Sequence, residues 1–137
     1  MLKTINELKI GEKEYFEKTI SESDVYLFAG ISGDMNPAHI NEEYAKKTMF
    51  HGRIVHGMLS SSLISTVIGM KLPGPGTIYV SQELNFLAPV KINDTIRAQV
   101  EVIEIIKEKN RVRLKTRVIN QNDNIVVDGV AVVMPPR

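Results

Sequence analysis

The strongest pattern in this sequence is a change of hydrophobic period after Gly76. From there on, apolar and polar residues alternate. Val112, Leu114, Thr116 and Val118 interleave with Arg111, Arg113, Lys115 and Arg117, which predicts a strand with one core face and one wet, cationic face. Ile96, Ala98, Val100 and Val102 alternate with Arg97, Gln99 and Glu101 in the same way. Ile78, Val80, Gln82, Leu84 and Phe86 alternate with Tyr79, Ser81, Glu83 and Asn85. Ile125 to Met134 is a more hydrophobic last strand. Turns are expected at Asn122-Asp123-Asn124, at Lys107 to Asn110, and where Pro89 leads into Val90 to Asp94. Four consecutive strands with such connections predict an antiparallel meander.

The first half reads differently. Glu12 to Ile20 partly alternates and predicts a first strand. Ser21 is placed as an N-cap with Asp24 three residues on, and Val25, Leu27, Phe28 and Ile31 are spaced for one helical face. That helix should stop near Gly30 to Gly33. Asp34 to Asn41 reads as loop, stiffened by Pro37, and Asn41 as the cap of a short helix over Glu42 to Thr48. Phe50 to His56 is a second loop. Gly57 to Met70 contains no charge and predicts the central helix. Leu59, Leu63, Val67 and Met70 form its apolar stripe, and Met58, Ser62, Ser65 and Gly69 form a neighbouring stripe that another backbone could approach. Leu72-Pro73-Gly74-Pro75-Gly76 ends it. A sheet with one apolar face needs a cover, and this helix alone has the length. The expectation is one α+β domain over residues 1–137, an antiparallel sheet wrapped around a long central helix.

Composition narrows the function classes. A chain of 137 residues with net charge +1 gives no electrostatic case for nucleic acid. With no cysteine there can be no disulfide, thiolate metal site or cysteine nucleophile. The first residues lack the apolar run of a signal peptide, so a cytoplasmic address is expected. The uncharged stretch ending at Met70 is too short and too rich in serine for a membrane span.

The candidate chemistry is concentrated between Ser32 and Ser65, where all three histidines lie. Asp34 and His39 flank Pro37, and a loop turning at the proline can aim a carboxylate and an imidazole at one water, as general base catalysis requires. Each also has a structural reading, Asp34 as an Asx-turn and His39 as a buried, satisfied histidine. Gly57 opens the central helix, so its N–H is an unsatisfied donor at a positive dipole end that can receive a developing oxyanion. It also reads simply as the glycine that admits the chain to the helix. His56 can contact a ligand or close the loop, and His51 reads as surface. Ser62 and Ser65 can bond back to their own helix or hold a polar group of a substrate. The histidine spacing matches no compact metal motif, so no metal is expected. A serine hydrolase is disfavoured because no G-x-S-x-G elbow is present.

Gly33-Asp34-Met35-Asn36-Pro37-Ala38-His39, with Phe50 and Ile54-Val55-His56-Gly57-Met58, resembles the MaoC-like dehydratases. Among them it is similar to the short, single-domain (R)-specific enoyl-CoA hydratases that feed polyhydroxyalkanoate synthesis. Leu72-Pro73-Gly74 and the strand opening at Gly76-Thr77-Ile78-Tyr79 match as well. The resemblance implies a hotdog fold, a homodimer and reversible syn addition of water to a trans-2-enoyl thioester. Asp34 and His39 then take the dyad positions and Gly57 the oxyanion position. Ser65 falls where the family has a serine that helps position the dyad, with Ser62 its near neighbour; Asn36 and His56 would support the substrate site. Coenzyme A is part of the substrate, and no separate cofactor is implied. Two other activities compete: a hotdog acyl-CoA thioesterase, and a non-catalytic acyl-thioester-binding module.

Overall fold

The computed structural model describes residues 1–137. Five strands form one antiparallel sheet: β1 (Lys13–Thr19), β2 (Ile78–Phe86), β3 (Thr95–Ile106), β4 (Arg111–Ile119) and β5 (Ile125–Met134), in the order β1-β3-β4-β5-β2. The expected meander is correct for β3, β4 and β5 and wrong for β2, which leaves β3 and pairs with β5 at the far edge. The connector from Leu87 to Asp94 explains this. It is longer than a tight hairpin loop and starts through Pro89, which has no N–H for a ladder. It crosses the sheet end instead, where Val90 O accepts the Val55 N–H at 2.7 Å and Lys91 bridges to Ile54. The β2–β5 pairing also needs Gly129, since a Cβ there would lie 1.8 Å from the Glu83 carbonyl. β1 takes the other edge, with Phe16 opposite Ala98.

Alternation in the central strands is as the sequence predicts. Ile96, Ala98, Val100, Val102, Val112, Leu114, Thr116 and Val118 are completely buried. On the outer face the charges pair across strands, Arg113 with Glu104 and Arg117 with Asp128.

The inner face is covered by α4 (Gly57–Met70), with the bounds the sequence predicts. Its buried side is Ser60, Ser61, Leu63, Ile64, Val67 and Ile68, a face rotated from the expected stripe. Met70 is 63% exposed and Met58 57%. The reason is placement: α4 packs on β1, β3 and β4 and scarcely on β5, so one side of the helix stays open within a single chain. In β2, Ile78, Val80 and Phe86 are also exposed. No helix is long and apolar enough to cross a membrane.

α1 (Glu22–Ser32) starts with both bonds of a capping box. The Asp24 N–H donates to Ser21 Oγ at 3.1 Å and the Ser21 N–H donates to Asp24 Oδ2 at 2.9 Å. It buries Val25, as expected, together with Ala29, while Leu27 and Ile31 of the expected face lie 64% and 77% exposed. At its end Gly33 adopts the left-handed conformation, φ 80°, and its N–H returns to Ala29 O.

The Ser21 N–H, and then Lys18, hold the Asp24 carboxyl below its ordinary range. A depressed pKa stabilises the fold above the unfolded value, about 3.9, and that stabilisation is lost as the pH falls through the folded value. Ser21→Ala should therefore cost about 1 kcal/mol in urea denaturation. The stability difference between wild type and Asp24→Asn should be full at neutral pH and shrink progressively as the pH falls below about 4.

Candidate active site

Two short segments meet at the start of α4. The first leaves α1 at Gly33 and contains α2 (Pro37–Ile40), one helical turn where the sequence predicts loop. Asn36 makes that turn possible. Its side chain accepts the Ala38 N–H at 3.1 Å, and Pro37 occupies the first helical position, where a missing N–H costs nothing. Asp34 accepts the Asn36 N–H at 3.2 Å, the Asx-turn anticipated for it. α3 (Glu42–Ala45) follows with Asn41 as its cap, shorter than predicted. The second segment is the strand-like run Ile54 to His56.

These segments are clasped together by two histidines. His39 Nδ1 lies 2.7 Å from the Ile54 carbonyl. A carbonyl only accepts, so Nδ1 carries the proton and Nε2 presents a free lone pair. His56 Nε2 lies 3.0 Å from the Asp34 carbonyl and by the same logic donates to it. The two rings stack at 3.9 Å, with Phe28 4.9 Å from His56 on a tilted plane. The Ile54 N–H closes the clasp on Ala38 O at 3.2 Å. Arg53 ties it down from outside. Its guanidinium bonds Glu22 at 3.1 Å, Glu42 at 3.0 Å and the Tyr26 hydroxyl at 2.7 Å, and it holds the Glu22 carboxyl below its usual range.

The result is a pocket of about 580 Å³. Asp34, His39, His56, Gly57 and Ser60 form its polar end, and Phe50, Leu87, Val90 and Val127 belong to its apolar wall. His39 is 9% exposed and His56 1%, while the Asp34 side opens to solvent. Gly57 is the first residue of α4, and no side chain caps that helix end, so its N–H faces the pocket without a protein partner. The space a Cβ would take at Gly57 is filled by the Phe86 ring, 2.7 Å away.

One carboxylate oxygen of Asp34 and one nitrogen from each of His39 and His56 lie within 4.8 Å of one another. Such a trio can be asked whether it holds a metal. Imidazole lone pairs lie in the ring plane, and two rings stacked 28° from parallel send theirs side by side rather than to one point. The group suits proton transfer to a water held between Asp34 and His39 better than ligation.

Asp34, His39, His56 and Gly57 are thus brought together, and Asn36 acts one step back as the cap that aims His39. His51 is exposed, at φ 58°, and apart from the pocket. Ser62 and Ser65 lie on the open side of α4, with the Ser62 hydroxyl turned back to Leu59 O at 2.6 Å. The serine that does line the pocket is Ser60. Sequence reasoning missed it, along with Arg53 and Phe86, because each acquires its role from segments distant in the chain.

Comparison with known proteins gives the family and the fold. The family model described as MaoC like domain matches residues 6–124. The (R)-specific enoyl-CoA hydratase of Rhodospirillum rubrum is 50% identical over 136 residues, 99% of this chain and 94% of its own. The 3-hydroxybutyryl-CoA dehydratase of Methylorubrum extorquens is 47% identical over 131 residues, 96% of this chain and 83% of its own. Among solved structures, the unliganded R-hydratase PhaJ1 of Pseudomonas aeruginosa superposes with a TM-score of 0.93 at 49% identity, covering 98% of this chain and 86% of that one. These neighbours also establish the hotdog fold.

Alanine ordinarily stabilises a helix relative to glycine. At position 57 the sign should reverse, because the methyl group meets the Phe86 ring. Gly57→Ala should cost about 1 kcal/mol in urea denaturation, and Phe86→Leu in the same chain should return most of it.

Proposed function

Since this chain belongs to the MaoC-like dehydratase family, we propose that it is an (R)-specific enoyl-CoA hydratase, adding water reversibly and syn to trans-2-enoyl-CoA. The observation that carries the reading is the convergence of Asp34, His39 Nε2 and the Gly57 N–H at one end of an apolar pocket. The thioester carbonyl oxygen receives the Gly57 N–H at the positive end of α4. Conjugation lets water attack Cβ while negative charge develops on that oxygen, where a preorganised donor is worth a few kcal/mol. Water is held between the Asp34 carboxylate and His39 Nε2, which take its proton; a proton is returned to Cα. The two groups lie within 4.8 Å of each other, so hydroxyl and hydrogen can be delivered from one cluster to the same face, as syn addition requires. Atoms balance with water and the enoyl thioester alone, and no electron changes hands, so the chemistry asks for no cofactor beyond the coenzyme A of the substrate. The acyl chain extends along Phe50, Leu87 and Val127. In the same reading the enzyme works in the cytoplasm on fatty-acid intermediates, and its (R)-3-hydroxyacyl product is of the kind polymerised into polyhydroxyalkanoate.

The working unit in this reading is a homodimer. The support is the exposure of Met58 and Met70 on α4 and of Ile78 and Val80 on β2, an edge strand of the sheet. An edge strand with exposed apolar residues invites pairing, and a second copy is the natural cover. Ser62, Ser65 and Gly69 lie on the same open side, and a Cβ at Gly69 would meet nothing within 4 Å, which leaves room for a partner's backbone.

Purified protein mixed with crotonyl-CoA should consume the conjugated enoyl absorbance without releasing free thiol; thiol release would instead favour the thioesterase. Asp34→Asn and His39→Ala should each lower kcat by about 10²- to 10⁴-fold with unfolding midpoints close to wild type. Rates like the wild type's would remove the residue from the mechanism.

Light scattering should give the mass of two chains, and Val80→Lys should shift it toward one. A wild-type monomer that is fully active would end the dimer reading.

A further inference from the structure

Two buried polar atoms at the start of α4 have no hydrogen-bond partner: Nδ1 of His56 and Oγ of Ser60. The residues stand one helical turn apart, joined by the Ser60 N–H to His56 carbonyl bond at 3.1 Å, and each is 1% exposed. The next two serines behave otherwise. Ser61 donates to the Gly57 carbonyl at 2.9 Å and Ser62 to the Leu59 carbonyl at 2.6 Å. Of these three consecutive serines, only Ser60 has not turned its hydroxyl back onto the helix.

Buried polar groups in folded proteins are nearly always satisfied by protein or trapped water. Here the two unsatisfied groups are complementary. His56 Nε2 faces the Asp34 carbonyl and must carry the proton, so the neutral ring leaves a bare lone pair at Nδ1. A serine hydroxyl supplies the donor that lone pair lacks.

We propose that Ser60 and His56 form a positioning pair, in which the Ser60 hydroxyl donates to His56 Nδ1 through one trapped water, and so locks the imidazole in its Nε2–H tautomer. That tautomer touches every part of the reaction site. Nε2–H holds the Asp34 carbonyl at 3.0 Å, the ring face backs His39 at 3.9 Å, and the next peptide carries the Gly57 N–H. If the proton moved to Nδ1, Nε2 would meet the Asp34 carbonyl lone pair to lone pair, and the loop carrying Asp34 would lose its tether. Ser60 and His56 therefore act through Asp34 and His39, as the outer hydrogen bond of a functional histidine commonly does.

The test reads the ring directly. In ¹⁵N-histidine-labelled protein without ligand, the His56 nitrogens, assigned by their loss in His56→Gln, should show a protonated Nε2 and an Nδ1 that accepts a hydrogen bond. Ser60→Ala should move Nδ1 to the position of a free acceptor or bring in the second tautomer. Ser60→Thr, which restores a hydroxyl, should reverse this. The kinetic arm rests on the hydratase reading: kcat for crotonyl-CoA should fall on the order of tenfold in Ser60→Ala and recover in Ser60→Thr, with KM within about twofold of wild type. Unchanged nitrogen positions in Ser60→Ala would overturn the pair whatever the rates do. So would a raised KM at constant kcat, which would make Ser60 a substrate contact. Should Ser60→Ala fail to fold, Ser60→Cys offers only a weak donor and carries the same comparison. If the wild type hydrates no enoyl thioester, the hydratase reading fails while the nitrogen positions still decide the pair.

Discussion

The reaction site depends on a reciprocal exchange of hydrogen bonds between two loops. His39 of the first donates to the Ile54 carbonyl of the second, and His56 of the second donates to the Asp34 carbonyl of the first. Each bond is worth about 1 kcal/mol, and the clasp matters less for stability than for geometry. It sets both tautomers at once, turns His39 Nε2 toward the pocket, and brings the Asp34 carboxylate to the start of α4. The stacking of the two rings means neither can rotate without displacing the other.

The rest of the fold supports that exchange. The buried side of α4 holds the helix axis against β1, β3 and β4, so the position of the Gly57 N–H is inherited from the core rather than from a mobile loop. The crossover from β2 to β3 passes under the same point, with Val90 O bonded to the Val55 N–H. That crossover is the feature the alternation pattern hides. A period of two says which face of a strand is apolar but not which strand lies beside it, and β2 went to β5 because its connector is long and begins through a proline.

The error in the α4 stripe has a simple cause. A helical wheel ranks faces by hydrophobicity, and on an uncharged helix every face qualifies. In α4 the serines at 60 and 61 are buried and the methionines at 58 and 70 are not, since the sheet covers only one side. In α1, Ala29 is buried and Ile31 is exposed.

The sequence by itself determined the elements and the chemistry. Alternation set the strands, caps at Ser21 and Asn41 set two helix starts, and the Asp-x-Asn-Pro-x-His run with His-Gly at a helix start marked the candidate dyad and the candidate oxyanion donor. These are local properties, written within a few residues of one another. Only the tertiary structure decided the strand order, the buried face of α4, the choice of Ser60 over Ser62 and Ser65 as the serine in the pocket, and the filling of the space beside Gly57 by Phe86. Each of those depends on which distant segment arrives at a given point. That is a matter of connector length and packing, and no spacing along the chain encodes it.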